Sequence, residues 1–361
     1  MSPSLRFPEF TGEWEECKIE DITDAVSSGK SKNHFSNGEY NLYGSTGIIG
    51  RTDKALYDGK LVLVARVGAN AGFLQIINEP CGITDNTLIL KPKGIDAFYL
   101  YYFLQHFNLN RLIFGSGQPL ITGGMLKKVK VSLGTVSEQS KIVKFLSLLD
   151  ERIAVQNRLI EDLKKLSCAI VEKMFKQSKA NGRLGDFIEQ VSVRNKNGLY
   201  SNVLSVSNKQ GFVKQSEQFE DRTVASEDTS NYKIVKRNNF AYNPARINVG
   251  SIARLTKFDV GIVSPMYVCF RTKDGIIPEY MEAFFTSQQF FYEMMKRLEG
   301  SVRLCLSYEG LCNIPVYIPN MNKQIVMGQN ISLILSKIGL EIEYLGRLHQ
   351  QKQYLLRKMF I

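Results

Sequence analysis

Residues 138–175 read EQSKIVKFLSLLDERIAVQNRLIEDLKKLSCAIVEKMF, and residues 323–360 read KQIVMGQNISLILSKIGLEIEYLGRLHQQKQYLLRKMF. A shift of 185 residues superimposes the two stretches without a gap. Gln139 meets Gln324, Ser147 meets Ser332, Ile153 meets Ile338, Leu163 meets Leu348, and both stretches close on Lys-Met-Phe. Apolar residues recur at alternating steps of three and four. The first seam runs through Ile142, Leu146, Leu149, Ile153, Ile160, Leu163, Ile170 and Met174, and the second through Met327, Ile331, Ile334, Ile338, Leu345, Leu348, Leu355 and Met359. Both seams are interrupted at the same two places, Gln156/Glu341 and Ser167/Lys352. Such a spacing over about five heptads predicts a coiled-coil helix in each copy. Each helix of about 37 residues would run roughly 55 Å.

The repeat continues upstream. Leu126 aligns with Leu311, and Val129, Val131 and Leu133 align with Ile314, Val316 and Ile318 at the same offset. Further back the offset shrinks: Gly82-Ile83 matches Gly261-Ile262, and Lys18–Ile22 matches Arg183–Phe187. The second copy therefore carries about 20 additional residues in its early part. The expected organisation is a globular unit over 1–136, a long helix over 137–178, a second globular unit over 179–320 and a second long helix over 321–361. The polar stretch KQSKANGR (176–183) is the joint. An antiparallel pairing of the helices would hold two similar heads related by an approximate two-fold axis. Mixed apolar strands and helices within each unit predict an α/β (α+β) fold. Leu61–Ala65 and Cys81–Leu90 read as buried strands, Ile95–Phe107 as a helix, and the alternating Leu126–Leu133 as a half-exposed strand.

Composition narrows the function. The chain of 361 residues is 44% hydrophobic and 22% charged, ordinary globular material, with a net charge of +11 that is compatible with an anionic partner. Six cysteines (Cys17, Cys81, Cys168, Cys269, Cys305 and Cys312) form no close pair, and the histidines are His34, His106 and His349. A zinc site and a histidine-assisted nucleophile are both disfavoured. No uninterrupted apolar run reaches the roughly 18 residues of a membrane helix. The first 16 residues lack the apolar core of a signal peptide, so a cytoplasmic chain is expected.

Loops rich in Gly, Ser, Thr and Asn separate the strands. They are YGSTGIIG (43–50), RVGANAG (66–72) and GSGQP (115–119) in the first unit, and RINVGS (246–251) and GSVR (300–303) in the second. Glycine admits close backbone approach, hydroxyls and amides bond phosphates, and Arg, Asn and Gln read base edges. None fits a dinucleotide fingerprint or a P-loop. The candidate DNA contacts are Tyr43, Ser45, Thr46, Arg66, Asn70, Asn86, Gly117 and Gln118 in the first unit, and Arg246, Asn248, Ser251, Arg303 and Tyr308 in the second. Lys30, Lys32, Lys127, Lys128, Arg254 and Arg297 are candidate phosphate contacts.

Taken together and in order, these motifs resemble the specificity subunit of type I restriction-modification systems. The resemblance rests on Arg6–Phe10 with Gly12 and Trp14, on YGSTGIIG (43–50), on GSGQPLIT (115–122), on Glu138–Ile142 leading to Asp150, and on the two Lys-Met-Phe ends. It implies that each globular unit is a target recognition domain reading one half of a split, asymmetric duplex site. It implies that the helices form an antiparallel coiled coil that sets the spacer and docks two methylation subunits, with restriction and translocation subunits joining them. It also implies a chain with no catalytic centre or cofactor of its own, within a holoenzyme that uses S-adenosylmethionine, ATP and Mg2+. The second copy departs from the pattern, with Lys323-Gln324 in place of Glu-Gln, Leu335 in place of Asp150, and no YGSTGIIG loop. Two rival readings are a self-contained DNA methyltransferase or nuclease, and a structural coiled-coil protein with no nucleic-acid role. Against the first, Tyr242-Asn243-Pro244-Ala245 lacks the second proline of an amino-methyltransferase motif.

Overall fold

The computed structural model describes residues 2–32, 38–113, 117–176, 179–208, 210–215, 228–301 and 303–361. His34, Gly115, Ser116, Gln177 and Ser178 lie outside the described residues. The chain divides into two compact units, Met1–Asn157 with Glu343–Ile361, and Arg158–Ile342.

The first unit contains β1 (Glu15–Lys18), β2 (Thr23–Ser28), β3 (Tyr40–Gly44), β4 (Gly47–Thr52), β5 (Lys60–Ala65), β6 (Leu74–Asn78), β7 (Cys81–Ile83) and β8 (Thr87–Pro92). Then follow α1 (Ala97–Phe107), α2 (Gly123–Lys127), β9 (Lys130–Leu133) and the start of the long helix α3 (Val136–Lys176). Strands β2-β8-β5-β6 form an antiparallel sheet. In the sheet β4-β3-β7, β7 runs parallel to β3. β5 reads as a continuous apolar run because both of its faces are covered. Val62 and Val64 join the core under α1, while Leu61 and Leu63 pack on the other side with Cys81, Ile83 and Ile89.

The second unit contains β10 (Gly182–Arg183), α4 (Leu184–Phe187), β11 (Ile188–Gln190), β12 (Val203–Ser207), β13 (Gly211–Lys214), β14 (Lys233–Lys236) and β15 (Phe240–Tyr242). It continues with β16 (Ile252–Arg254), β17 (Val260–Val263), β18 (Val268–Thr272), α5 (Pro278–Phe285), α6 (Gln288–Met295), α7 (Tyr308–Cys312), β19 (Pro315–Val316) and the start of α8 (Met321–Met359). Its sheet β11-β18-β15-β16 repeats the order of β2-β8-β5-β6. β13-β12-β17 repeats β4-β3-β7, down to the parallel β12–β17 pair, and β14 adds a fourth strand. Among the described residues the first unit has only a bridge at that place, Tyr57 with Cys81, and the additional residues of the second copy lengthen the connection between β13 and β14. Small contacts repeat as well. Lys18 N donates to Asp21 Oδ2 and Arg183 N to Asp186 Oδ2, both at 2.8 Å. Gln139 Nε2 donates to Gly134 O and Gln324 Nε2 to Pro319 O, five residues back in each case.

The apolar residues of the heptad seams are buried or partly buried, as the spacing requires. In the first unit Ile142, Leu146, Leu149 and Ile153 share one core with Leu348, Leu355, Met359 and Phe360. Lys352 pairs with Asp150, and Tyr344 with Arg152, so α3 and α8 run antiparallel there. In the second unit Val171, Phe175 and Ile331 pack on Tyr280 and Phe284 of α5.

Three local expectations are corrected. Cys81–Leu90 is two strands, because Thr87 N donates back to Thr84 O and turns the chain between β7 and β8. Leu126 and Lys127 belong to α2, whose start is capped by Thr122 Oγ1 accepting from Met125 N, so the strand begins only at Lys130. And α8 does hold an 18-residue window apolar enough, by length and composition, to cross a membrane. Heptad spacing spreads the apolar residues over a long helix, raising the mean without forming an uninterrupted run.

Candidate nucleic-acid interface

In the first unit, strand directions bring four loops to one end. β3 ends at Gly44 and β4 returns from Gly47, leaving Ser45 and Thr46 at a hairpin tip. β7 runs alongside β3 and delivers the turn 84–86 to the same end. β5 pairs with β8 so that Ala65 faces Thr87, and the chain continues into Arg66–Phe73. The loop before α2 is tied to these by Ile121 N donating to Arg66 O and Gly68 N to Pro119 O. Gly68 takes a φ of 79°, a conformation that favours glycine.

Most of the first-unit candidates meet at this end. Arg66 N donates to Asn86 O at 2.9 Å, and Ser45 Oγ donates to the same carbonyl at 3.4 Å. Thr46, Asn70, Asn86, Gly117 and Gln118 are exposed, and Arg66 is half-buried, with its Nε buried and without a hydrogen-bond partner among the described residues. Tyr43 is engaged elsewhere. Its hydroxyl donates to Glu79 Oε1 at 2.6 Å; burial and that carboxylate push the phenol up, while Asn41 and Tyr43 together hold Glu79 below its usual range.

Lys30 and Lys32 flank Ser31, whose N donates to Ile83 O and whose Oγ accepts from Ile83 N, so this strip lies beside the 84–86 turn. With Lys54 the two lysines line a cleft of about 300 Å³. Lys127 and Lys128 stand apart from the loops, at the end of α2, which packs on β2 and on the 19–22 turn.

The second unit brings corresponding segments together: 205–208 and 243–251 meet Tyr267 around one cleft, and Leu306 is tied to Pro244. Leu306 N donates to Pro244 O as Ile121 N does to Arg66 O. A polar cleft of about 130 Å³ opens here, lined by Ser205, Ser207, Asn208, Asn243, Arg246, Ser251 and Tyr267. Arg246 is exposed, and Asn248 lines an adjoining, more apolar cavity of about 570 Å³. Ser251 is buried and donates to Val206 O. Arg303 is exposed in a loop whose Gly300 has a φ of 118°.

Three other candidates are placed differently. Arg254 is buried and bonded to Glu279, Glu282 and Asn238, because β16 ends against α5; burial raises Glu282, against the pull of Arg254. Arg297 is half-buried and paired with Glu293 within α6 and its end. Tyr308 packs on the core beneath α7, and burial pushes its phenol up. Sequence reading missed Gln75, Asn208, Lys54 and Met266. Gln75 Nε2 props the hairpin tip by donating to Gly44 O and Ser45 O, and a polar residue amid the apolar β6 was the available signal. The buried thiols of Cys81 and Cys269 are pushed up to about 11 and about 12 by burial, so both stay protonated at neutral pH.

Comparison with known proteins points the same way. Residues 11–165 match the family described as type I restriction modification DNA specificity domain. The chain is 27% identical over 132 residues to the type I restriction enzyme EcoprrI specificity subunit of Escherichia coli, covering 36% of this chain and 32% of that protein. It is 31% identical over 119 residues to the MjaVIII specificity subunit of Methanocaldococcus jannaschii, covering 32% and 28%. These matches thus span about a third of the curated relatives' length. In fold the chain is similar to the crystal structure of a type I restriction-modification system S subunit from M. genitalium, with a TM-score of 0.68, 19% identity and coverage of 100% and 99% of the two chains. Residues 11–165, whose strand order recurs in the second half of the chain, are thus similar to the type I restriction modification DNA specificity domain.

Proposed function

We propose that this chain is the DNA-reading, non-catalytic subunit of a type I restriction-modification complex, and that each head reads one half of a split duplex site. The observation that carries this reading is the recurrence of one loop-bearing end on each of two units with the same strand order. Half-site readers joined at a fixed separation need that arrangement. The loops differ in residue type between the units, which supports two different half-sites. On this reading the recognition domains are 1–136 and 179–320, and the spacer helices are 137–178 and 321–361. Exposed apolar residues along the helices, among them Leu148, Val155, Leu333 and Leu340, would receive the methylation subunits. The restriction subunits, S-adenosylmethionine, ATP and Mg2+ belong to the holoenzyme, which would work in the cytoplasm.

Binding of the full chain to duplex DNA at 50 and 200 mM salt tests the reading. Affinity should fall steeply with salt, by a log–log slope of about −0.9 for each phosphate neutralised. No affinity for duplex, or affinity indifferent to salt, would favour a structural coiled-coil protein instead.

A further inference from the structure

The strand registers identify one equivalent position at the centre of the loop cluster in each head. Ala65 faces Thr87 across β5–β8, and one step further Arg66 N donates to Asn86 O. The β15–β18 pairing ends with Tyr242 facing Val268, and carried two residues on, that register would bring Pro244 level with Met266. Independent hydrogen bonds agree with this equivalence. Arg66 O accepts from Ile121 N, and Pro244 O accepts from Leu306 N. Ala65 N donates to Phe73 O, and Asn243 N to Ser251 O. Thr87 N closes a turn on Thr84 O, and Tyr267 N closes the same turn on Ser264 O. The structural counterpart of Arg66 is therefore Pro244, and that of Asn86 is Met266.

The chemistry at this shared position is opposite in the two heads. The first presents a guanidinium, whose buried Nε has no partner among the described residues, beside an exposed carboxamide. The second presents a proline, with no N–H to give, beside a methionine that is 57% exposed. In the major groove a guanidinium matches the two acceptors of guanine, whereas an apolar side chain matches the 5-methyl group of thymine. An exposed methionine beside a polar cleft is unfavourable in water unless an apolar surface meets it.

Resting on the DNA-reading function above, we propose that Arg66 and Met266 are specificity-determining residues at equivalent places, Arg66 selecting a guanine in one half-site and Met266 a thymine in the other. The test is methylation mapping in cells carrying the complete complex with the wild-type chain, Arg66→Ala, Arg66→Lys or Met266→Ala. Arg66→Ala should cost about tenfold to a hundredfold in discrimination at one guanine of one half-site, and the other half-site should keep its sequence. Arg66→Lys should lose part of it, because the ammonium cannot reproduce the planar fork. Met266→Ala, on an exposed side chain that the fold does not need, should relax a thymine of the other half-site by about fourfold, the ratio for burying one methylene-sized group. A wild-type motif left unchanged by Arg66→Ala and Met266→Ala overturns the assignment, as does a change spread over both half-sites. A wild-type chain that adds no split motif removes the DNA-reading function itself, which distinguishes the two failures.

Discussion

Lys352 Nζ lies 2.6 Å from Asp150 Oδ1 in the seam between α3 and α8, and a shift of 185 residues puts Ser167 of the first copy at the place of Lys352 and Leu335 of the second at that of Asp150. Tyr102 of α1 donates to the same carboxylate through Oδ2 at 2.9 Å, and Lys352 also sits over the Tyr102 ring. One head helix is thereby tied to both long helices by a partly buried charge pair. Replacing Asp150 by Leu leaves Lys352 and the Tyr102 hydroxyl without their acceptor. It should lower unfolding stability by about 1–2 kcal/mol. The double change Asp150→Leu with Lys352→Ser installs the residues of the equivalent places, Leu335 and Ser167, and should recover most of that loss. Urea unfolding of the three proteins decides; a double variant as unstable as the single one would show that the pair does more than satisfy itself.

Glu138 is fully buried, accepts two hydrogen bonds from Arg6, and accepts a third from Trp14 Nε1 at 3.1 Å. Glu138→Ala should destabilise the first unit far more than Glu20→Ala, because Lys18 and Glu20 form an exposed pair that contributes little. Thermal midpoints of the two variants, compared side by side, check the ranking.

His106 packs against Phe360, and burial lowers its pKa, so the fold favours the neutral ring. A group depressed in the folded state contributes stability that is present above its unfolded pKa of about 6.5 and is lost as pH falls through the folded value. Unfolding stability should therefore drop on going from pH 7.5 to 5.5. His106→Gln should flatten that drop, and an equal drop in both proteins would count against the histidine.

Lys30, Lys32 and Lys54 line one cleft beside the 84–86 turn. If they neutralise phosphates, changing all three to Gln should make the salt dependence of duplex binding shallower, by about 0.9 in the log–log slope for each phosphate no longer neutralised. The recognised bases should stay the same. An altered motif would instead place these lysines among the residues that read bases.

Much of this molecule is legible in its sequence, for particular reasons. The long helices are visible because a buried seam must repeat every seven residues, and Ile142, Leu146, Ile331 and Leu348 obey that spacing. The short elements are harder. Leu126–Leu133 alternates like a strand, yet the Thr122 cap starts a helix that takes its first two residues. Loop chemistry is legible as composition but not as position. Arg246 looks like the partner of Arg66, and only the strand register shows that Pro244 holds that place. Arg254 looks like a free cation because the carboxylates that hold it, Glu279 and Glu282, come from a helix some 25 residues later.

On the function proposed above, this chain by itself dictates a split DNA motif. Genome-wide methylation mapping, in otherwise identical cells with and without this chain, tests it most directly. Removing the chain should abolish methylation at one motif, two unequal half-sites separated by a fixed spacer, and leave every other motif intact. A methylome identical in both cells, or the loss of a single uninterrupted motif, would contradict it.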